Sequence, residues 1–268
     1  MAGAGPRTDV GRGRPVVLLH GFGLGRWMWR PQVEALARTG HRVVVPQLLG
    51  HGDAPTVGPD VAFDDVVDAV EDLLVELELE RPVLCGLSMG AAVALELALR
   101  PRMDPLALLL ADNSLASGRQ RGRHAAQRLR SHTPEEILDG YEPLMFGADT
   151  RAARPAVIAE WRTRFAEHDI EQLARVIEAY HGRAHRGDRL REITIPTVVL
   201  FGAQDTTAGP DQRQEYLAIP GARPVELAGA GHLSNMEQPE AFTAVLSGLI
   251  SDSDAPGSDP GASTGGSS

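Results

Sequence analysis

The sequence predicts an α/β protein: a mostly parallel sheet flanked by helices on both faces, with a helical cap inserted near its middle. Three observations carry this. Short apolar runs alternate with helix-length amphipathic segments, as expected of strands joined by crossover helices. Residues 113–192 break the alternation with helical patterns and no convincing strand. Gly86-Leu87-Ser88-Met89-Gly90 lies between an apolar run and a helix, so a strand turns sharply into a helix there.

Val16-Val17-Leu18-Leu19 is a continuous apolar run, suited to a strand buried on both faces. A helix is expected over residues 31–38 and a second strand over 41–45. Residues 64–79 read as a helix, because Val66, Val67, Val70, Leu73, Leu74 and Leu77 fall at helical spacing. Pro82-Val83-Leu84-Cys85 is the next strand, and residues 91–100 form the helix after the turn. Strands follow over 106–111, 197–201 and 222–227, with a helix starting near Pro210 and a closing helix over 242–250. In the cap, Ile158, Trp161 and Phe165 share one helical face; Leu173, Val176, Ile177 and Tyr180 share another. The expected core is residues 1–112 and 193–251, and the cap is residues 113–192. Residues 252–268 hold Ser, Asp, Gly, Pro and Ala, cannot bury a core, and are expected to be a disordered tail.

Composition narrows the function. The 268 residues are 43% hydrophobic, enough for one large domain with an insertion. The net charge of −10 argues against nucleic-acid binding. All 26 basic residues are Arg. The one cysteine, Cys85, excludes internal disulfides and cysteine-based zinc sites; it reads as a small core residue. His181 and His185 lie four apart but lack further ligands, so no metal is expected. No apolar run reaches the roughly 18 residues of a membrane helix, and the first residues lack the apolar core of a signal peptide. A cytoplasmic location is expected. The cap holds 14 Arg against 12 acidic residues, read as a solvated helical surface.

The chemistry centres on Ser88. A serine at a strand-to-helix turn has its hydroxyl pushed out of the fold, and flanking glycines let strand and helix approach. A serine hydroxyl needs a base, and the base needs an orienting carboxylate. Asp205 and His232 each follow a strand, and the order Ser88, Asp205, His232 suits a hydrolytic triad. Asp112, at the end of the preceding strand, is the rival acid. Oxyanion donors are expected from the backbone N–H groups of Met89 and Phe22. His20 is read as holding its loop by a hydrogen bond. Trp27, Phe146 and Trp161 are candidates for an apolar substrate pocket.

Five motifs carry a family resemblance: His20-Gly21-Phe22-Gly23, Gly50-His51-Gly52-Asp53, Gly86-Leu87-Ser88-Met89-Gly90, Phe201-Gly202-Ala203-Gln204-Asp205 and the run from Gly231 to Glu240. Together they resemble an α/β-hydrolase, closest in pattern to small bacterial carboxylesterases and 3-oxoadipate enol-lactonases. The resemblance implies the fold given above and a cofactor-free serine hydrolase cleaving an ester or lactone through an acyl-enzyme. The same triad also serves C–C hydrolases, thioesterases and perhydrolase-like enzymes. A non-catalytic small-molecule receptor is the remaining alternative. The expected partner is a small apolar ester or lactone, with no nucleic acid and no membrane; a homodimer stays open. The chain departs from the pattern in three places. Gln47 stands where relatives often carry Asp, which puts local hydrogen bonding in question. Ala91 replaces a common Gly, which favours the helix. The stretch before Pro15 leaves room for one N-terminal edge strand or none.

Overall fold

A computed structural model describes residues 5–254. Its centre is a seven-stranded sheet in the order β1-β3-β2-β4-β5-β6-β7. The strands are β1 (Arg7–Val10), β2 (Pro15–Leu19), β3 (Arg42–Pro46), β4 (Val83–Leu87), β5 (Ala107–Ala111), β6 (Thr197–Gly202) and β7 (Arg223–Leu227). β1 alone runs antiparallel, pairing Arg7 with Pro46 and Val10 with Val43; the other pairings are parallel. The central strands β4, β5 and β6 are buried at every position. Helices on both faces exclude water from them, which explains their unbroken apolar runs. β7 is an edge strand, and it tolerates Pro224 because one side of its ladder needs no donor.

The crossover helices cover both faces. α2 (Phe63–Glu76) buries Phe63, Val66, Val67, Val70, Leu73 and Leu74 and turns Asp64, Asp65, Asp68 and Asp72 outward, while Glu71 is buried and paired with Arg100 and Arg102. It packs on α3 (Met89–Ala98), which lies under β4 and β5. α3 is apolar nearly all round and fully buried over Met89 to Leu97, as a helix wedged between a sheet and a second helix must be. On the opposite face α1 (Arg30–Arg38) packs against the closing helix at the chain's end, Pro239–Asp254. That helix takes in residues 252–254 of the expected tail; residues 255–268 lie outside the described residues.

Between β5 and β6 the chain forms five α-helices, α4 (Arg119–Ser131), α5 (Pro134–Met145), α6 (Ala148–Ala153), α7 (Pro155–Ala166) and α8 (Ile170–Gly182), and a short 3-10 helix over Gly187–Glu192. α5 starts at a capping box, in which Glu136 N–H donates to Thr133 Oγ1 and Thr133 N–H donates to Glu136. α8 starts on Asp169, which accepts from the N–H groups of Glu171 and Gln172. α4 and α8 pack closely along their lengths. After β6 come α9 (Pro210–Glu215) and, past β7, α10 (Ser234–Glu237), followed by the closing helix, α11. No helix among the described residues is long and apolar enough to cross a membrane.

The structure settles the N-terminal question in favour of one edge strand, β1. Its four residues have no apolar run, and two of them are exposed, so periodicity could not reveal it.

Candidate active site

Loops leaving the carboxyl ends of the parallel strands converge on Ser88. Parallel α/β sheets place their ligand sites along this edge. β4 ends at Leu87, and Ser88 takes φ 55° and ψ −119° before α3 begins at Met89. Few side chains tolerate that conformation without strain. It holds because neighbours press in on both sides. A Cβ on Gly86 would collide with the Gly90 carbonyl, and one on Gly90 would collide with the carbonyl oxygen of Leu19. The glycines are therefore needed for close approach.

His232 lies on the loop after β7, and its Nε2 is 2.9 Å from Ser88 Oγ. Its Nδ1 is 3.1 Å from Asp205 Oδ2 on the loop after β6. A proton on Nδ1 donates to Asp205 and leaves Nε2 free to accept the Ser88 O–H. Thr207 completes this corner: its Oγ1 is 2.9 Å from His232 Nδ1, and its N–H donates to Asp205 Oδ1 at 2.8 Å. The three residues that chain order pairs are thus one hydrogen-bonded chain.

Electrostatics follow from this geometry. Burial pushes the His232 pKa down, but the Asp205 charge and hydrogen bond outweigh it and carry it above 6.5. Burial pushes Asp205 up, and the His232 charge and hydrogen bond bring it below the ordinary Asp value. Asp112 behaves otherwise. It is fully buried, it accepts from Gly202 N–H at 2.7 Å, and Ser234 Oγ–H donates to its other oxygen. Burial, then the nearby Asp205 charge, raises its pKa. Asp112 therefore ties the end of β5 to β6 and α10, and Asp205 faces the imidazole.

Glu237 braces the histidine loop. Its Oε1 accepts from the N–H groups of Gly231 and Leu233, and its Oε2 accepts from Gly147 N–H of the helical insertion. On the other side of Ser88, His20 accepts from Leu48 N–H at 3.0 Å through Nε2, and its Nδ1 is 2.9 Å from Gly21 O. Burial, before any other influence, holds His20 neutral, with a pKa of about 3. Phe22 follows in this loop. Among the described residues neither Phe22 N–H nor Met89 N–H has an intramolecular backbone acceptor.

Ser88 and His232 open into a cavity of about 370 Å³. Much of its wall is apolar, including Leu24, Tyr141, Met145, Trp161 and Phe165. The arrangement can take the proton from the serine hydroxyl and present the oxygen to a carbonyl held in that cavity.

The sequence over residues 16–245 matches the Alpha/beta hydrolase family. The chain belongs to that family. Its fold superposes on that of a thermophilic esterase from Thermogutta terrifontis, in a malate-bound structure, with a TM-score of 0.87 at 30% identity, covering 94% of each chain. The enol-lactonase from Burkholderia xenovorans LB400 gives a TM-score of 0.84 at 30% identity, covering 92% of this chain and 96% of that one. 3-Oxoadipate enol-lactonase 1 of Acinetobacter baylyi is 26% identical over 239 residues, 88% of each chain.

In this alpha/beta hydrolase the pocket candidates separate. Trp161 lines the cavity. Phe146 is not among the lining residues; it is buried behind Trp161, with the ring centroids 5.4 Å apart. Trp27 lies in a separate shallow groove with Arg30 and Arg154. Its placement in the short turn before α1 directs it away from Ser88, and that turn is not legible in the sequence. Phe165 and Tyr141 also line the cavity; helical periodicity cannot tell a pocket-facing ring from one facing the insertion's own core. Gln47 takes up the missing carboxylate's place: its Oε1 accepts from Arg26 N–H at 3.2 Å, and Arg26 pairs with Asp53 at 2.7 Å.

Proposed function

We propose that this protein is a cofactor-free serine hydrolase that cleaves a carboxylic ester or lactone through an acyl-enzyme on Ser88. The observation that carries the reading is the Ser88–His232–Asp205 chain of hydrogen bonds, 2.9 and 3.1 Å, at the floor of the cavity. His232 takes the Ser88 proton as Oγ attacks the carbonyl carbon. The developing oxyanion is met by the N–H groups of Phe22 and Met89. His232 then protonates the leaving alkoxide, which departs as an alcohol, or stays tethered when the substrate is a lactone. Water enters, His232 removes its proton, and the acyl-enzyme is released as a carboxylic acid. Asp205 holds the imidazole in the tautomer both steps need. The family and its esterase and enol-lactonase relatives support this choice of bond.

Turnover of a panel of 4-nitrophenyl acyl esters tests the reading: release of nitrophenolate with a pre-steady-state burst is expected. No release across chain lengths from acetate to octanoate would refute it.

The pH profile follows from the histidine. His232 acts as a base only when neutral, and Asp205 stabilises its charged form, so its pKa lies above 6.5. For a neutral ester, kcat/KM should rise with pH through a midpoint above 6.5. Asp205→Asn removes the charge that raises the pKa, so residual activity should show a lower midpoint. A wild-type profile flat between pH 5 and 8 would mean that His232 is not the base.

We further propose that residues 113–192 act as a cap that sets substrate choice. Trp161→Ala and Phe165→Ala should each reorder the ester panel, by about 10- to 200-fold in relative kcat/KM, as for other apolar contacts in a binding pocket. Fluorophosphonate labelling of Ser88 should change little. An unchanged ranking in both variants would count against a cap-lined pocket.

A further inference from the structure

We propose that His51 is a positioning residue of the oxyanion hole and that His168, from the helical insertion, holds it in register, so that the insertion sets the geometry of that hole as well as the shape of the pocket. This rests on the serine-hydrolase reading, in which Phe22 N–H is one of the oxyanion donors.

The motif Gly50-His51-Gly52-Asp53, on the loop after β3, takes no part in the triad, yet its histidine is fully buried. His51 Nδ1 is 3.0 Å from Leu49 O, and Gly23 N–H donates to His51 Nε2 at 3.1 Å. In the neutral ring one nitrogen donates and the other accepts, so the proton sits on Nδ1. Burial, then the neighbouring His20 and His168, holds the His51 pKa well below 6.5, so the accepting nitrogen stays bare at pH 7. Gly23 directly follows Phe22. On the other side of Phe22, Gly21 O accepts from Leu24 N–H at 3.3 Å and meets His20 Nδ1 at 2.9 Å. The peptide groups on both sides of Phe22 are therefore tied. The loops tie each other at further points, where Leu48 N–H donates to His20 and Arg26 N–H donates to Gln47.

The insertion reaches this arrangement through His168, in the turn between α7 and α8. Its Nδ1 accepts from the N–H of Gly52, the residue after His51, at 3.2 Å. Its ring stands edge-on to His51, with centroids 5.6 Å apart and an interplanar angle of 85°. Burial holds the His168 pKa below 6.5, although the nearby carbonyls of Gly23 and Leu24 favour the charged form. The ring is thus neutral at pH 7 and lies against the oxyanion loop itself. Its other edge-on neighbour is Phe165, at 6.2 Å and 80°. Phe165 also presses on Gly23, where φ is 65° and a Cβ would collide with the Phe165 ring. The same ring lines the cavity beside Ser88. An acyl group packed on Phe165 therefore touches the residue that bears on both Gly23 and His168. Displacing a catalytic group by about 1 Å costs on the order of 100-fold in rate, so small changes in this contact reach the chemistry.

The test reads the oxyanion hole separately from substrate binding. His168→Ala should lower kcat toward 4-nitrophenyl butyrate about tenfold with KM nearly unchanged. It should weaken inhibition by phenylboronic acid by a similar factor, because the tetrahedral adduct of a boronic acid on Ser88 puts an oxygen where the oxyanion forms. His51→Ala should lose about 100-fold in both. His51→Gln, which keeps an acceptor for Gly23 N–H, should recover about tenfold or more of that loss. His168→Ala carries the test where His51→Ala does not fold. Amide hydrogen exchange at residues 21–24 should quicken in His168→Ala. A kcat and a boronic-acid affinity both within about twofold of wild type in His168→Ala overturn the proposal, and so does a fall in kcat without a parallel loss of that affinity. Failure of a fluorophosphonate to label Ser88 in the wild type overturns the hydrolase reading instead. Hydrogen exchange then decides the link from His168 to the loop alone: quickened exchange at residues 21–24 supports it, and unchanged exchange refutes it.

Discussion

Ser88→Ala should lose on the order of 10⁶ in kcat toward 4-nitrophenyl esters while the fold persists. Removing a triad nucleophile typically costs that much, because the acyl-enzyme route closes entirely. The structural cost should be small. The Ser88 hydroxyl makes its side-chain contact to His232 alone, and the backbone bonds that hold the elbow, from Ser88 N–H to Ala111 O and from Ala91 N–H to Ser88 O, do not involve it. Thermal melting should stay within a few degrees of wild type. Turnover retained within tenfold would show that another group performs the attack.

Asp205→Asn should cost up to about 10⁴ in kcat, and Asp112→Asn about tenfold or less. Asparagine at 205 can hydrogen-bond to Nδ1 in the wrong sense and so favours the tautomer with its proton on Nε2, which cannot accept from Ser88. Asp205 Oδ2 lies 3.1 Å from His232 Nδ1, which is the position an orienting carboxylate needs. Asp112 serves Gly202 N–H and Ser234 O–H, and an asparagine there keeps an acceptor for Gly202. It also removes a carboxyl group whose ionisation burial opposes. If Asp112→Asn proves the more damaging change, Asp112 orients the histidine.

The parts of this site that follow single strands are legible in the sequence. Ser88 and Asp205 lie just past apolar runs and His232 past the mixed strand Arg223–Leu227, and a parallel sheet places all such ends on one edge. Chain order alone left Asp112 as a rival to Asp205, because both end strands on that edge; only the side-chain contacts separate them. Groups brought in by tertiary packing were illegible. Thr207 touches the imidazole through a turn with no distinctive pattern. The His51–His168 contact joins the loop after β3 to the turn between α7 and α8, whose mutual packing no local periodicity encodes. Trp27 and Phe146 carry the right chemistry for a pocket, but their places were fixed by the short turn before α1 and by the ring of Trp161. The closing helix runs on into residues 252–254, because a helix already packed on α1 can continue into weak helix formers for a turn.

The acyl-enzyme on Ser88 is tested most directly by treating the protein with a fluorophosphonate and mapping the adduct by mass spectrometry. One adduct per chain is expected, on the peptide containing Gly86-Leu87-Ser88-Met89-Gly90, with complete loss of esterase activity and no adduct in Ser88→Ala. An unmodified Ser88 in wild type, or an adduct that persists elsewhere in Ser88→Ala with matching loss of activity, would contradict it.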